Sequence, residues 1–425
     1  MSKKILTLCL CLWVGWLSVN CSNTPPKKEY RFQQITLYND SVSPLAQQLL
    51  SFADELQHRL NGTLIIARHD TILVERAYGY LQLFNETTGY PTLAFSQLKT
   101  LKAQPSNTMT LESVFDLASL SKQFTAAAIL KLCADHKLNL SDSLYRFYPK
   151  LPYKNVTIQQ LLTHTSGIPE YFNFAFSYYD TSLFIDNTQL IKVMEQQRFP
   201  SMFTRGARFK YVNTKYALLA DIVVQVTNMS FEEFVRTYLW KPAGMKDALF
   251  FTEIVGLHPN KVLKPIPIQQ GDEYIPVFPL QDTAFPPIAR GHWRSGALAS
   301  YDRLNGILGD KGIYCSAKDL IQWTNAFYIQ YKVLPKKWVE LMTTCQNQLS
   351  NGTFPEEQYG YGVRMENKDG HGKTIYHGGL WDGFHNVWLY RPSDGLQIVF
   401  LSNYYNRAHI GKCDEILNIV DGVPQ

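Results

Sequence analysis

Apolar positions change period several times along the chain, and each change marks an element. In residues 43–60 they fall at Leu45, Leu49, Leu50, Phe52, Ala53 and Leu56, the spacing of an amphipathic helix. Residues 62–68 are a short apolar run, His69-Asp70 begins a turn, and residues 71–79 supply a second run, so two paired strands are predicted. Residues 81–107 carry little periodicity. From Ser119 the period is helical, and Phe124, Ala127, Ala128, Ile129, Leu130 and Leu132 put apolar side chains on most sides. Such a helix belongs at the centre of a core. Helical segments dominate to about residue 247, among them 158–163, 213–226 and 230–239. Residues 257–290 hold seven prolines and read as a surface excursion. A helix follows Ala317 to about Tyr331. Strands then come at 374–377, 384–390 and 396–402, the last two joined by the turn Arg391-Pro392-Ser393-Asp394-Gly395.

Strands at both ends with helices between them predict an α+β fold. One antiparallel sheet is closed by the N- and C-terminal segments and carries an inserted helical lobe, at about residues 125–290. Composition adds a size and a compartment. A chain of 425 residues, 45% hydrophobic and 18% charged, is ordinary globular material for one large domain or two. Its net charge of +5 falls to about +3 without Lys3 and Lys4, too little to argue for nucleic acid.

Those two lysines precede an apolar run, residues 5–17, that suits a signal peptide and is shorter than the ~20 residues of a membrane span. Leu17-Ser18-Val19-Asn20-Cys21 resembles a bacterial lipoprotein box, with Asn20 where Gly or Ala is usual and Cys21 as the acylated residue. Residues 1–20 are thus expected to be a signal peptide and 21–40 a polar tether. The folded domain would occupy 41–425. The expected location is the periplasm or outer cell surface, with the membrane reached through a lipid anchor. Of seven cysteines, Cys133, Cys315, Cys345 and Cys413 remain after the leader, widely spaced. Neither a zinc site nor a disulfide framework is indicated, and a single distant disulfide stays open.

The chemistry concentrates at Ser119 and Lys122. Three apart on a helix, they share one face, and Ser119 reads as a capping residue at the helix start. A helix N-terminus and burial both lower the pKa of a lysine. A lysine neutral near physiological pH accepts a proton from a serine hydroxyl, which makes a nucleophile and its base. Further candidates are Tyr211-Val212-Asn213 after a turn, and His377-Gly378-Gly379 at a strand end, where glycines let a substrate approach the backbone. In Leu161-Leu162-Thr163-His164-Thr165-Ser166-Gly167, His164 reads as a turn-stabilising residue.

With these segments in order, residues 60–405 resemble the class C β-lactamase-like serine hydrolases: β-lactamases, D-Ala-D-Ala carboxypeptidases, D-amino-acid peptidases and related esterases. Lys241-Pro242-Ala243-Gly244-Met245 and residues 309–320 add to the likeness. The resemblance implies a mainly antiparallel sheet flanked by helices, with the active site where sheet and helical lobe meet. It implies Ser119 as acylated nucleophile, Lys122 as its partner and Tyr211 as proton shuttle to the leaving group. Asn213 would orient Lys122 or substrate, and the backbone N–H groups of Ser119 and Leu380 would form the oxyanion hole. His377, Gly378 and Gly379 would bind substrate in place of the Lys-Thr-Gly of true β-lactamases. A histidine there, with an ordinary pKa of about 6.5, is expected to become cationic towards pH 6 and attract a substrate carboxylate. The expected substrates are small esters or D-amino-acid-containing peptides, including cell-wall-derived ones, with no metal or organic cofactor. A β-lactamase and a penicillin-binding-like sensor without turnover are the alternatives.

Overall fold

The structure is a computed structural model that describes residues 43–56, 60–82, 107–178, 184–256, 266–270, 273–277, 285–294, 296–353, 355–368, 370–405 and 410–423. The expected leader, the tether and Cys21 lie outside the described residues, as do most of residues 81–107 and 257–284.

The predicted hairpin is β1 (Gly62–Arg68) and β2 (Thr71–Tyr78), with Gly62 opposite Tyr78 and Arg68 opposite Thr71. β3 (Phe115–Asp116) leads into the serine, and β4 (Leu249–Phe250) follows the helical region. β5 (Ile266–Gln270) and β6 (Glu273–Val277) are a hairpin inside the proline-rich stretch, where the hydrophobic pattern had shown none. β7 (Ile313–Cys315) pairs with both β3 and β4 in a small three-stranded sheet. β8 (Gln358–Tyr359), β9 (Arg364–Lys368), β10 (Gly372–Trp381), β11 (Phe384–Arg391) and β12 (Leu396–Ser402) complete the main sheet. Its order is β2-β1-β12-β11-β10-β9-β8, antiparallel throughout. The first strands of the chain and its last therefore lie side by side, as the terminal placement of strands predicts.

Alternation along β1 explains the layers, because successive side chains of a strand point to opposite faces. Leu64 and Ile66 join Ile398 and Phe400 under the terminal helices Pro44–Glu55 and Ile410–Asp421. Ile65 and Ala67 face the other way, into a larger core with Val399, Trp388 and the helix Lys122–Ala134. In that helix every residue except Lys131 and Ala134 is buried. The first helix starts on Ser43, whose Oγ accepts the Ala46 N–H at 3.2 Å, with proline at its first position.

The helix Ile158–Leu162 begins with a reciprocal Thr157–Gln160 capping box. The helix Thr214–Thr227 lies within a residue of its expected bounds, whereas Phe231–Val235 passes into a wider π turn, Arg236–Trp240. The helix Asn187–Gln197 falls in the stretch expected to be mainly helical, whereas Lys336–Met342 and Ile410–Asp421 were not anticipated. One expectation is corrected outright. Ser119 does not cap the central helix. It sits in a 3-10 turn, Ala118–Ser121, and the α-helix starts only at Lys122 with no side-chain cap. The reason is a tight entry from β3.

Candidate active site

Asp116 and Ala118 aim the serine. Ala118 has a left-handed φ of 48°, which costs a non-glycine residue about 1–2 kcal/mol. Its N–H donates to Asp116 Oδ1 at 2.7 Å, and the buried Asn386 of β11 donates from Nδ2 to the Asp116 carbonyl oxygen at 2.7 Å. These bonds hold the turn against the sheet. β10 packs on the same turn so closely that a Cβ on Gly379 would lie 2.2 Å from the Leu117 carbonyl oxygen. Glycine is the one residue that fits there. Ser119, Gly378, Gly379 and Leu380 together line a cavity of about 490 Å³.

Lys122 is wholly buried, and its Nζ has three neighbours. It donates to Asn213 Oδ1 at 2.8 Å and to the Asp310 carbonyl oxygen at 2.9 Å, and stands 3.0 Å from Ser119 Oγ. Burial lowers its pKa from 10.5 to about 8, while Asp310 and Glu170 resist that fall and Arg364 reinforces it. The partners decide what a neutral Lys122 does. A carbonyl and an amide oxygen only accept, so they hold the two remaining N–H bonds, and the lone pair is left facing the serine hydroxyl. Thr125 Oγ1 anchors the loop that carries Asp310 by donating to the Gly309 carbonyl oxygen at 2.7 Å. Asp310 Oδ2 in turn accepts from Tyr171 OH at 3.0 Å, and Lys311 Nζ donates to that hydroxyl at 2.6 Å.

Asn213 precedes its helix without capping it through its side chain. The amide is oriented by Glu170, whose Oε2 accepts from Asn213 N at 2.8 Å and from Nδ2 at 3.0 Å. Tyr211 carries a buried hydroxyl with no well-formed hydrogen bond. Burial raises its pKa above the ordinary 10.0, opposed by the Ser119 hydroxyl beside it and by Arg364, so it remains a phenol at neutral pH. The His164 ring packs tilted against that of Tyr211, with centroids 4.4 Å apart, and its Nδ1 accepts the Val212 N–H at 3.2 Å. His164 thus fixes the tyrosine segment as well as its own turn.

The structure brings Ser119, Lys122, Tyr211, Asn213, His377 and the backbone of residues 378–380 together around one cavity, although Lys122 lies behind its wall. His377 needs correction in one respect. Its Nδ1 donates to the Gly378 carbonyl oxygen at 2.7 Å, which leaves Nε2 to accept from Tyr359 OH at 3.2 Å. Both ring nitrogens are satisfied in the neutral form. Burial, with Arg364 and Lys122 nearby, holds its pKa well below 6.5, so the expected cation at pH 6 does not form. Another cationic side chain, which the sequence did not single out, stands at the cavity. Arg364 on β9 lines the cavity, stacks over the Tyr211 ring at 5.1 Å and pairs with Glu357.

A model of the Beta-lactamase family matches residues 47–416. The chain belongs to this family of serine hydrolases. Among its relatives is penicillin-binding protein 4* of Bacillus subtilis, 27% identical over 85% of this chain and 73% of that protein. Solved structures with the same fold include the octameric penicillin-binding protein homologue from Pyrococcus abyssi, with a TM-score of 0.62 and 22% identity over 90% of this chain and 78% of that one. The D-amino acid amidase from Ochrobactrum anthropi also has a TM-score of 0.62, at 19% identity over 90% of this chain and 97% of that one. The α+β fold and the family are those expected from the ordered motifs. Glu170, Asp310 and Arg364 belong to the site without having been anticipated. Glu170 follows the Thr-Ser-Gly-Ile-Pro turn directly and Asp310 lies in a segment already matched to the family, so position alone held the clue.

Proposed function

We propose that this chain is an exported, lipid-anchored serine hydrolase that forms an acyl-enzyme with small esters or D-amino-acid-containing peptides. Its hydrolase domain would be residues 41–425, with the helical lobe at about 125–290, behind a cleaved leader and a tether starting at Cys21. The arrangement of acceptors around Lys122 carries the reading, since it leaves the lysine lone pair to Ser119 alone.

Ser119 Oγ attacks the substrate carbonyl carbon while its proton passes to neutral Lys122. The backbone N–H groups of Ser119 and Leu380 receive the oxyanion, donors worth about 3–4 kcal/mol each in a transition state. Tyr211, a phenol at neutral pH, gives its proton to the departing oxygen or nitrogen as the bond to the carbonyl carbon breaks. The phenolate so formed takes the proton that Lys122 gained from Ser119, relayed by solvent, which returns Tyr211 to the phenol and Lys122 to its neutral form. Water then attacks the ester on Ser119 by the reverse route and frees the acid. Arg364, permanently charged, is the partner for a substrate carboxylate, a role the neutral His377 cannot fill. The basic n-region, the apolar run and the box ending at Cys21 support export and acylation.

One substrate panel tests this. The purified protein is given p-nitrophenyl esters, D-alanyl peptides and a chromogenic cephalosporin, beside Ser119→Ala. Turnover of an ester or D-peptide, lost in Ser119→Ala, is expected. Fast cephalosporin turnover with no other activity indicates a β-lactamase, and stable acylation without turnover a sensor.

A further inference from the structure

Glu170 takes no part in the steps above, yet it is built into the site. It occupies the position before the 3-10 turn Tyr171–Asn173 but makes no capping bond. The backbone on both sides of it is tied to one hydroxyl. Thr214 Oγ1 donates to the Pro169 carbonyl oxygen at 2.7 Å and accepts the Tyr171 N–H at 2.7 Å. Thr214 adjoins Asn213, so these two bonds set the Glu170 carboxylate in register with the Asn213 amide. Its Oε2 then accepts from the Asn213 backbone N–H and from Nδ2, while Oε1 is buried without a partner.

An amide has an accepting end and a donating end of nearly the same shape. With its oxygen towards Lys122, Asn213 can only accept, and a neutral lysine must offer it an N–H. Reversed, the NH₂ group would face the lysine and attract its lone pair. The serine would then meet an N–H in place of a base. We propose that Glu170 is a positioning residue, which fixes the Asn213 amide with its oxygen on Lys122 and so directs the lysine lone pair to Ser119. The inference rests on the reading of Ser119 as nucleophile and Lys122 as base. Its carboxylate also acts on the lysine at a distance, because a negative charge favours the ammonium form. Asp310 acts in the same sense and Arg364 in the opposite one. Lys311 donates to Tyr171, Lys215 donates to the Lys210 carbonyl oxygen, and His377 and His164 are held neutral by burial.

The test is the second-order rate of fluorophosphonate labelling from about pH 6 to 10 in wild type, Glu170→Gln, Glu170→Ala and Ser119→Ala. In wild type the rate should rise with pH and level off above the Lys122 pKa of about 8. Glu170→Gln keeps an oxygen for Asn213 but loses the charge. Its plateau should exceed that of Glu170→Ala about tenfold or more, within the ~10²–10⁴ that a general base supplies, and its limb should move to lower pH. A Glu170→Ala plateau equal to wild type, or a Glu170→Gln limb that does not move, overturns the proposal. Should Glu170→Ala not fold, the limb of Glu170→Gln decides alone. Equal labelling of wild type and Ser119→Ala would instead overturn the assignment of the nucleophile.

Discussion

At the scale of single residues, charge and proton position at this site follow from which neighbours can donate and which can only accept. Lys122 stays soluble in the core because Asn213 and the Asp310 carbonyl replace its lost water, and those same acceptors leave Ser119 as the one partner able to give it a proton. His377 is the counter-example, a ring whose neutral form already satisfies Tyr359 and Gly378. Burial holds its pKa well below 6.5, so the ring stays in that neutral form as the pH falls towards 6. The ratio of kcat/KM for an acidic peptide to that for a neutral ester should therefore be independent of His377 charge. Arg364→Ala should raise KM for the acidic peptide about tenfold or more, the scale of one charged hydrogen-bonded partner, and change the neutral ester far less. Equal losses on both substrates would remove Arg364 from substrate binding. Spacing drew attention to Ser119 and Lys122, and the ordered motifs at Tyr211, Asn213 and His377 made the pair a candidate site. Lys122 and Asp310 are 188 residues apart and meet only through the fold, so no local pattern could pair them.

At the scale of elements, the hydrophobic periods located five of the seven strands of the main sheet, missing β8 and β9, because its middle strands have two buried faces. β11 and β12 are buried at every position, and β1 at all but Arg68, which makes them read as apolar runs. β10 extends past its expected end at His377 to Trp381, since Gly378 and Gly379 offer no side chain to a period-two pattern. That extension matters to the site, as β9 pairs with β10 only up to Tyr376 and the following residues border the cavity. The helix Ile410–Asp421 did present a pattern, with Cys413, Ile416 and Leu417 buried at helical spacing. The π turns Arg236–Trp240 and Asn325–Ile329 interrupt helices in ways no propensity marks. Gly379→Ala tests the fit of β10 on the serine turn. A Cβ 2.2 Å from the Leu117 carbonyl oxygen must push the strand away, whereas one on Gly378 meets nothing nearer than 3.7 Å. Displacement near 1 Å costs about 10²-fold in rate, so kcat/KM of Gly379→Ala should fall by at least that much, and that of Gly378→Ala by less. Full activity in Gly379→Ala would show that the packing does not set the oxyanion geometry.

For the molecule as a whole, strands from both ends of the described chain meet in one sheet, and the serine turn lies against β10 and β11 of that sheet. The proposed anchor is a separate claim with its own test. Cys21→Ser should move the protein from the membrane fraction to the soluble fraction of its host, because in this reading Cys21 would carry the lipid. An unchanged distribution would show another means of attachment. The central claim is that Ser119 is the nucleophile and Lys122 its base. Peptide mapping by mass spectrometry after fluorophosphonate treatment tests it most directly. One adduct on Ser119 is predicted in wild type, none in Ser119→Ala, and labelling slowed about 10²-fold or more in Lys122→Ala. An adduct on another residue, or equal labelling of the three proteins, would contradict the account.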